Sequence, residues 1–219
     1  MHSAGQSPVW GRLNASKRSL SLVIRAAFLS VSEVPMNMTM LNNRYRYGAV
    51  AQAFHWLTAV LVIAAYALSP GGSEVQVYSL ARDFTRQAHE TLGLAVGVLT
   101  LLRLAWQTLN ATPEDPPMPA VMRYAAKIVH IALYVLLLAV PLTAIVGAWL
   151  GGHPVTLLMI GDIAPPLRLA HGVGQTIATI HTYLGDAIVW LAGLHAAAGL
   201  FHHFFLHDHV LRSMLPKRD

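Results

Sequence analysis

The 219-residue chain contains no cysteine. That absence excludes disulfides, iron–sulfur clusters, thiolate-ligated haem and covalently attached c-type haem, all of which need cysteine sulfur. Any metal chemistry must therefore run on imidazole, carboxylate or methionine. Charge is scarce as well, at 11% of residues against 55% hydrophobic, where a soluble globular protein carries about a quarter charged residues. So few charges cannot cover a water-facing surface, and lipid must be the solvent for much of the chain. The formal charge of +5 does not point to nucleic acid, because the basic residues form no stripe with interleaved aromatics. They fall between apolar runs, as in membrane proteins.

Four apolar segments are present, at roughly Val50–Leu68, His89–Leu109, Ala125–Leu150 and Thr179–Phe205. Each approaches or exceeds the ~20 residues needed to cross a hydrocarbon core of about 30 Å. Their apolar residues run nearly all the way round, as lipid contact requires. Pro141 is expected to kink the third span without ending it, and Pro113–Pro119 reads as a stiff linker. The reading is an all-α, integral membrane four-helix bundle spanning residues 44–216, preceded by a basic leader over 1–43. In that leader, Arg25 interrupts the only apolar run, so it is neither a good span nor a clear signal peptide. One of Met36, Met38 and Met40 is the expected biological start, with 1–35 disordered or never made and dispensable.

Orientation follows from lysine and arginine. With a cytoplasmic N-terminus, the inner side receives Arg44, Arg46, Arg103, Arg123, Lys127, Arg212, Lys217 and Arg218, with Arg12, Lys17, Arg18 and Arg25 of the leader. The outer side receives only Arg82, Arg86 and Arg168. The positive-inside rule then puts both termini in the cytoplasm and the 153–174 segment outside.

Histidine is abundant, with twelve in the chain. Polar side chains inside a membrane are costly and tend to be functional, yet every span carries histidine: His55, His89, His130, and then His181 with His195. His181 and His195 are fourteen residues apart, which returns to nearly the same helix face about 21 Å further along the axis. One face of the fourth span thus offers imidazoles at two depths. Haem iron accepts two axial histidines, and depth selects the partners: His89 with His181 at the outer end, His55 with His195 at the inner. A lone membrane histidine is more often an interhelical hydrogen-bonding residue, but four that pair by depth are hard to read that way. Gly93, Gly97, Gly185 and Gly199 sit near these positions, where they suit either close approach of a flat macrocycle or ordinary helix packing.

Other candidates carry less. His130, a turn before Tyr134, suits a propionate contact, a quinone pocket or a plain interhelical hydrogen bond. Arg103 suits a propionate or snorkelling to headgroups. His202 repeats the His195 face at the inner boundary beside His203, and the two could deliver protons to a quinone, since histidine titrates in the right range. Arg82, Arg86 and Arg168 would supply an outer field favouring an anionic donor.

The stretches Arg44-Tyr45-Arg46-Tyr47, Phe54-His55-Trp56-Leu57, His89-Glu90-Thr91-Leu92-Gly93, Leu102-Arg103-Leu104, His130 through Tyr134 to Pro141, His181-Thr182-Tyr183-Leu184-Gly185, and Gly193-Leu194-His195-Ala196-Ala197-Ala198 ending in His202-His203 together resemble the prokaryotic cytochrome b561 family. The resemblance runs from about Arg44 to Pro216. It implies two haems b per chain, with His55, His89, His181 and His195 on the family's ligand positions. It also implies residence in the bacterial inner membrane, electron exchange with quinone and, in some members, superoxide oxidation at the outer face. Two functions fit: a stand-alone carrier from an outer donor to quinone, or a haem anchor subunit for a periplasmic oxidoreductase. A haem-free transporter would need a broken helix or a midplane carboxylate; Asp186 is the only acid well inside a span, and no half-helix signal accompanies it.

Overall fold

The computed structural model describes residues 40–71, 74–114, 116–166 and 169–215. The basic leader up to residue 39, with Met36 and Met38, lies outside the described residues, as do Arg168, Lys217 and Arg218. From Leu41 onward the chain forms one unit. Its elements are α1 (Ala49–Ala67), the single-turn α2 (Glu74–Val77), a 3₁₀ turn (Leu80–Arg82), α3 (Asp83–Leu109), α4 (Ala120–Gly151), β1 (Val155–Leu157), β2 (Gly161–Ile163), α5 (His171–Phe201), a π-helical turn (His202–Leu206) and α6 (Val210–Ser213). Among the described residues, four helices are long and apolar enough to cross a membrane: Ala49–Ala67, Leu80–Leu109, Ala120–Gly151 and His171–Phe204. The fold is a membrane four-helix bundle, as the sequence predicts.

Its helices begin earlier than hydropathy suggests. α3 starts at Asp83, so His89 stands nearly two turns inside it and not at its first residue. α5 starts at His171, ten residues or less before the ligand candidate His181. Polar first turns hide these starts from an apolar window. α4 begins directly after Pro119, runs through Pro141 and stops at Gly152, whose φ of 86° is left-handed. Gly152 N–H donates to Trp149 O and His153 N–H to Ala148 O, the paired bonds of a Schellman stop.

The segment read as an open outer loop contains a β-hairpin, pairing Val155 with Ile163 and Leu157 with Gly161. It is tied to α3: Glu90 accepts from Thr156 N–H at 2.6 Å, and Thr91 Oγ1 from Leu158 N–H at 2.9 Å. Val155 and Leu157 are buried beneath it. This end of the bundle is called the hairpin end below. At the opposite, terminal end, α6 folds back on the start of α1, where Trp56 donates to Met214 O at 2.8 Å and Gln52 to Ser213 O at 3.2 Å.

α4 and α5 pack most closely. At Gly174 a Cβ would lie 2.5 Å from Gly151 N and 3.0 Å from Gly147 O, so only glycine permits this backbone approach. α1 packs on α3, but α1 and α5 meet at few points. At mid-depth Val96, Leu137 and Ile188 form the buried core, with Leu61, Val62 and Val189 against it. Ile188 falls halfway between His181 and His195, so this apolar waist separates two polar regions. Outside it, large apolar side chains such as Trp190, Ile63 and Leu142 are exposed, as a lipid-facing surface requires.

Candidate cofactor sites

The four histidines singled out by depth come together in two pairs. At the hairpin end the His89 and His181 rings have centroids 6.0 Å apart at 87°. At the terminal end His55 and His195 are 6.2 Å apart at 71°. With metal–nitrogen bonds of about 2 Å, two imidazoles on opposite sides of one metal put their ring centres roughly 6 Å apart.

At the hairpin end the second ring nitrogens are already committed. His89 Nδ1–H donates to Ala65 O at 2.7 Å and His181 Nδ1–H to Val140 O at 2.9 Å. Ala65 belongs to the last turn of α1, where carbonyls lack an intrahelical partner. Both bonds place hydrogen on Nδ1 and leave the Nε2 lone pair available, which is the arrangement seen in metal-ligating histidine. Around the pair lies a cavity of about 530 Å³ walled by all four long helices, within the ~300–1,000 Å³ of cofactor-sized sites. Gly93 and Gly185 line it, and a Cβ on either would meet nothing within 4 Å. These two glycines leave room for a flat ligand. Gly97 instead admits Pro141, whose Cγ would stand 3.2 Å from a Cβ there, so its role is helix packing.

The cavity's mouth is polar. Glu74 accepts from His153 Nε2–H at 2.9 Å, and its other oxygen is 3.4 Å from His171 Nε2. Tyr78 stacks on His153, with centroids 3.6 Å apart. Burial, with Glu90 next, pushes the Tyr78 phenol up to about 12 against the opposing pull of Arg86, so it stays protonated. Arg86 is buried, held at 2.5 Å by Asp83 and 2.9 Å by Glu90. This corrects the sequence expectation of an outward cationic field: the charge of Arg86 is offset by two carboxylates inside the protein. Arg82 remains exposed, its guanidinium bonded to Pro70 O.

The terminal-end pair is dressed differently. Arg103 donates to His55 Nδ1 at 3.3 Å and lies over the Tyr134 ring at 5.3 Å; Tyr134 O–H accepts from Gln107 at 2.6 Å. His130 brings a third ring, 5.2 Å from that of His195. Trp106 Nε1–H is buried without a partner. Further out, His202 donates to Asp208 at 2.5 Å, and His203 Nδ1 is buried and unpaired. Sequence reasoning missed Glu74, Glu90 and Asp208 as partners. Glu90 was visible as the residue after His89, but its target, the hairpin, was not.

Two imidazole pairs at two depths thus lie within an apolar four-helix membrane bundle. The profile of prokaryotic cytochrome b561 matches residues 46–217. The chain is 28% identical over 181 residues to Cytochrome b561 homolog 2 of Escherichia coli (strain K12), covering 82% of this chain and 96% of that protein. It is similar to Probable superoxide oxidase CybB of Yersinia pestis, at 28% identity over 79% of this chain and 97% of that one. It is also similar to Cytochrome b562 of Cereibacter sphaeroides, at 30% identity over 78% of this chain and 96% of that protein. The chain belongs to the prokaryotic cytochrome b561 family. It is a multi-pass bacterial inner-membrane protein of electron transfer, and membership implies haem b.

Proposed function

We propose that the chain is a dihaem b carrier that takes electrons from a donor at the hairpin end and passes them to quinone at the terminal end. The observation that carries this reading is the pairing of His89 with His181 and of His55 with His195 at 6.0 and 6.2 Å on either side of the buried waist. When bound, haem b supplies a one-electron ferric–ferrous couple. Ala65 O and Val140 O orient the hairpin-end imidazoles, while Arg103 stands ready to pair with a propionate at the other end. Lysine and arginine distribution supports the terminal end as cytoplasmic, which makes the hairpin end the outer one. His202, braced by Asp208, and His203, with an uncommitted buried nitrogen, are suited to deliver protons to a quinone at the inner boundary.

Superoxide is a reading for the donor drawn from the relative's name, Probable superoxide oxidase. The hairpin end supports it less than the sequence suggests, because Arg86 is neutralised there. The test is haem stoichiometry. Purified protein should carry two haems per chain; His181→Ala should lose the hairpin-end haem and His195→Ala the other. Retention of both in either variant would overturn the pairing. His202→Gln with His203→Gln should keep both haems and slow oxidation by a soluble quinone, and an unchanged rate would remove them from the quinone site.

A further inference from the structure

Asp186 is the only acid in α5, and α1 and α4 contain none. The acids of α3, Asp83 and Glu90, are engaged by Arg86. Asp186 instead accepts from Tyr66 O–H at 2.9 Å, across the sparse α1–α5 seam. It stands five residues inward of His181, about 7.5 Å along the axis. An ionisable side chain at that depth is costly and calls for a role. Both Asp186 and Tyr66 line the 530 Å³ cavity that holds His89 and His181, and the same cavity continues to Ser69, Glu74 and His153 at the loops. One void is therefore lined by the loop residues, the imidazole pair and the carboxylate.

Building on the dihaem reading, we propose that Asp186 is the redox-linked proton acceptor of the hairpin-end site, with Tyr66 as its positioning residue. A haem b held by His89 and His181 would supply a one-electron ferric–ferrous couple, and each electron taken up there would add one negative charge to the cavity that Asp186 lines. A proton from the outer water, passed along the cavity, binds an Asp186 carboxylate oxygen and cancels that charge; no other bond forms or breaks. Electron uptake and proton uptake favour one another because each relieves the charge the other creates.

The other charged or titratable groups facing this cavity are Tyr66 on α1, Glu74 and Tyr78 before α3, Arg86, His89 and Glu90 on α3, His153 after α4, and His181 with Tyr183 on α5; α4 itself offers none. Arg86 and Glu90 pair with each other, Glu74 pairs with His153, and Tyr78 is held protonated. Among the described residues, Asp186 is the carboxylate of this cavity with no cationic partner beside it. The terminal-end pair has no need of such a proton, because Arg103 already places a permanent positive charge beside His55.

The test is spectroelectrochemical titration of the purified two-haem protein at several pH values, the components being assigned by the loss of one in His181→Ala. The hairpin-end midpoint should fall as pH rises, and the terminal-end midpoint should not move in step. Asp186→Asn should flatten the slope and hold the hairpin-end midpoint near its low-pH value, whereas Asp186→Glu should keep the slope. Tyr66→Phe should displace the pH range of the slope while keeping its size, as expected of a residue that only positions the carboxylate. A slope and midpoint unchanged in Asp186→Asn would overturn the proposal. A wild-type protein showing a single haem component would defeat the dihaem reading instead, before any variant is compared.

Discussion

The two ends of the bundle hold their imidazoles by different means. At the hairpin end both Nδ1–H groups donate to main-chain carbonyls, and two glycines leave space between the helices. At the terminal end His55 receives a hydrogen bond from Arg103 on the nitrogen that its counterparts use to donate. The hairpin end is thus preorganised for a ligand by fixed main-chain acceptors, and the terminal end holds His55 through a guanidinium side chain. Main-chain acceptors cannot move away, whereas a long guanidinium side chain can. The difference separates a rigid site from an adjustable one.

The sharpest way to break this comparison is to fill the preorganised site. Gly185→Leu places a branched side chain where a Cβ now meets nothing within 4 Å. On the dihaem proposal, haem content should drop from two per chain to one, with the terminal-end component intact by absorbance spectroscopy. Loss of both would show that the two sites fold as one.

Ligand removal should also act unequally. His89→Ala should abolish hairpin-end binding, because the one imidazole that could replace it beside His181 in that cavity, His153, is held by Glu74 and Tyr78. His55→Ala leaves His130 and His195 with centroids 5.2 Å apart, so a weakened haem should remain, bound about tenfold to a hundredfold less tightly as for altered ligand shells. Equal loss in both variants, measured by haem titration, would place His130 outside the site. Arg103→Gln should have a smaller effect, moving the terminal-end midpoint downward as a positive charge is lost while leaving the hairpin-end spectrum unchanged.

How much of this was legible in the sequence differs between the two ends in the same way. The span count and the depth pairing of His55, His89, His181 and His195 follow from hydropathy and helical rise, which are properties of single helices. The hairpin of Val155–Leu157 and Gly161–Ile163 was not legible, because its stability comes from Glu90 and Thr91 on another element. The same holds for the burial of Arg86. Its carboxylate partners are local, at i−3 and i+4, and a closer reading of Asp83-Phe84-Thr85-Arg86 through Glu90 could have found them. Gly93 and Gly97 are one helical turn apart and look alike in sequence; only tertiary packing makes the first a wall of the cavity and the second a seat for Pro141.

The smallest effect tests whether a carboxylate at the terminal boundary behaves unlike Asp186 in its cavity. Asp208 follows the π-helical turn, where it accepts from His202 Nδ1–H at 2.5 Å and from Val210 N–H at 3.0 Å. Burial works to raise its carboxyl, but the His202 bond, the Val210 bond and the charges of His202 and His209 outweigh it and hold the group below 3.8. A carboxyl depressed on folding contributes stability above its unfolded value, and that contribution disappears as pH falls through the folded one. At neutral pH, Asp208→Asn should therefore lower the Tm slightly, by a loss of no more than about 1 kcal/mol for a pair near solvent. The gap between variant and parent should close as pH falls below 3.8, since both side chains are then neutral. Haem potentials should not change, because Asp208 lies beyond the imidazole sites. A Tm gap that persists at low pH would mean that the carboxylate acts through packing, and a shifted terminal-end potential would mean that the His202–Asp208 pair reaches the haem after all.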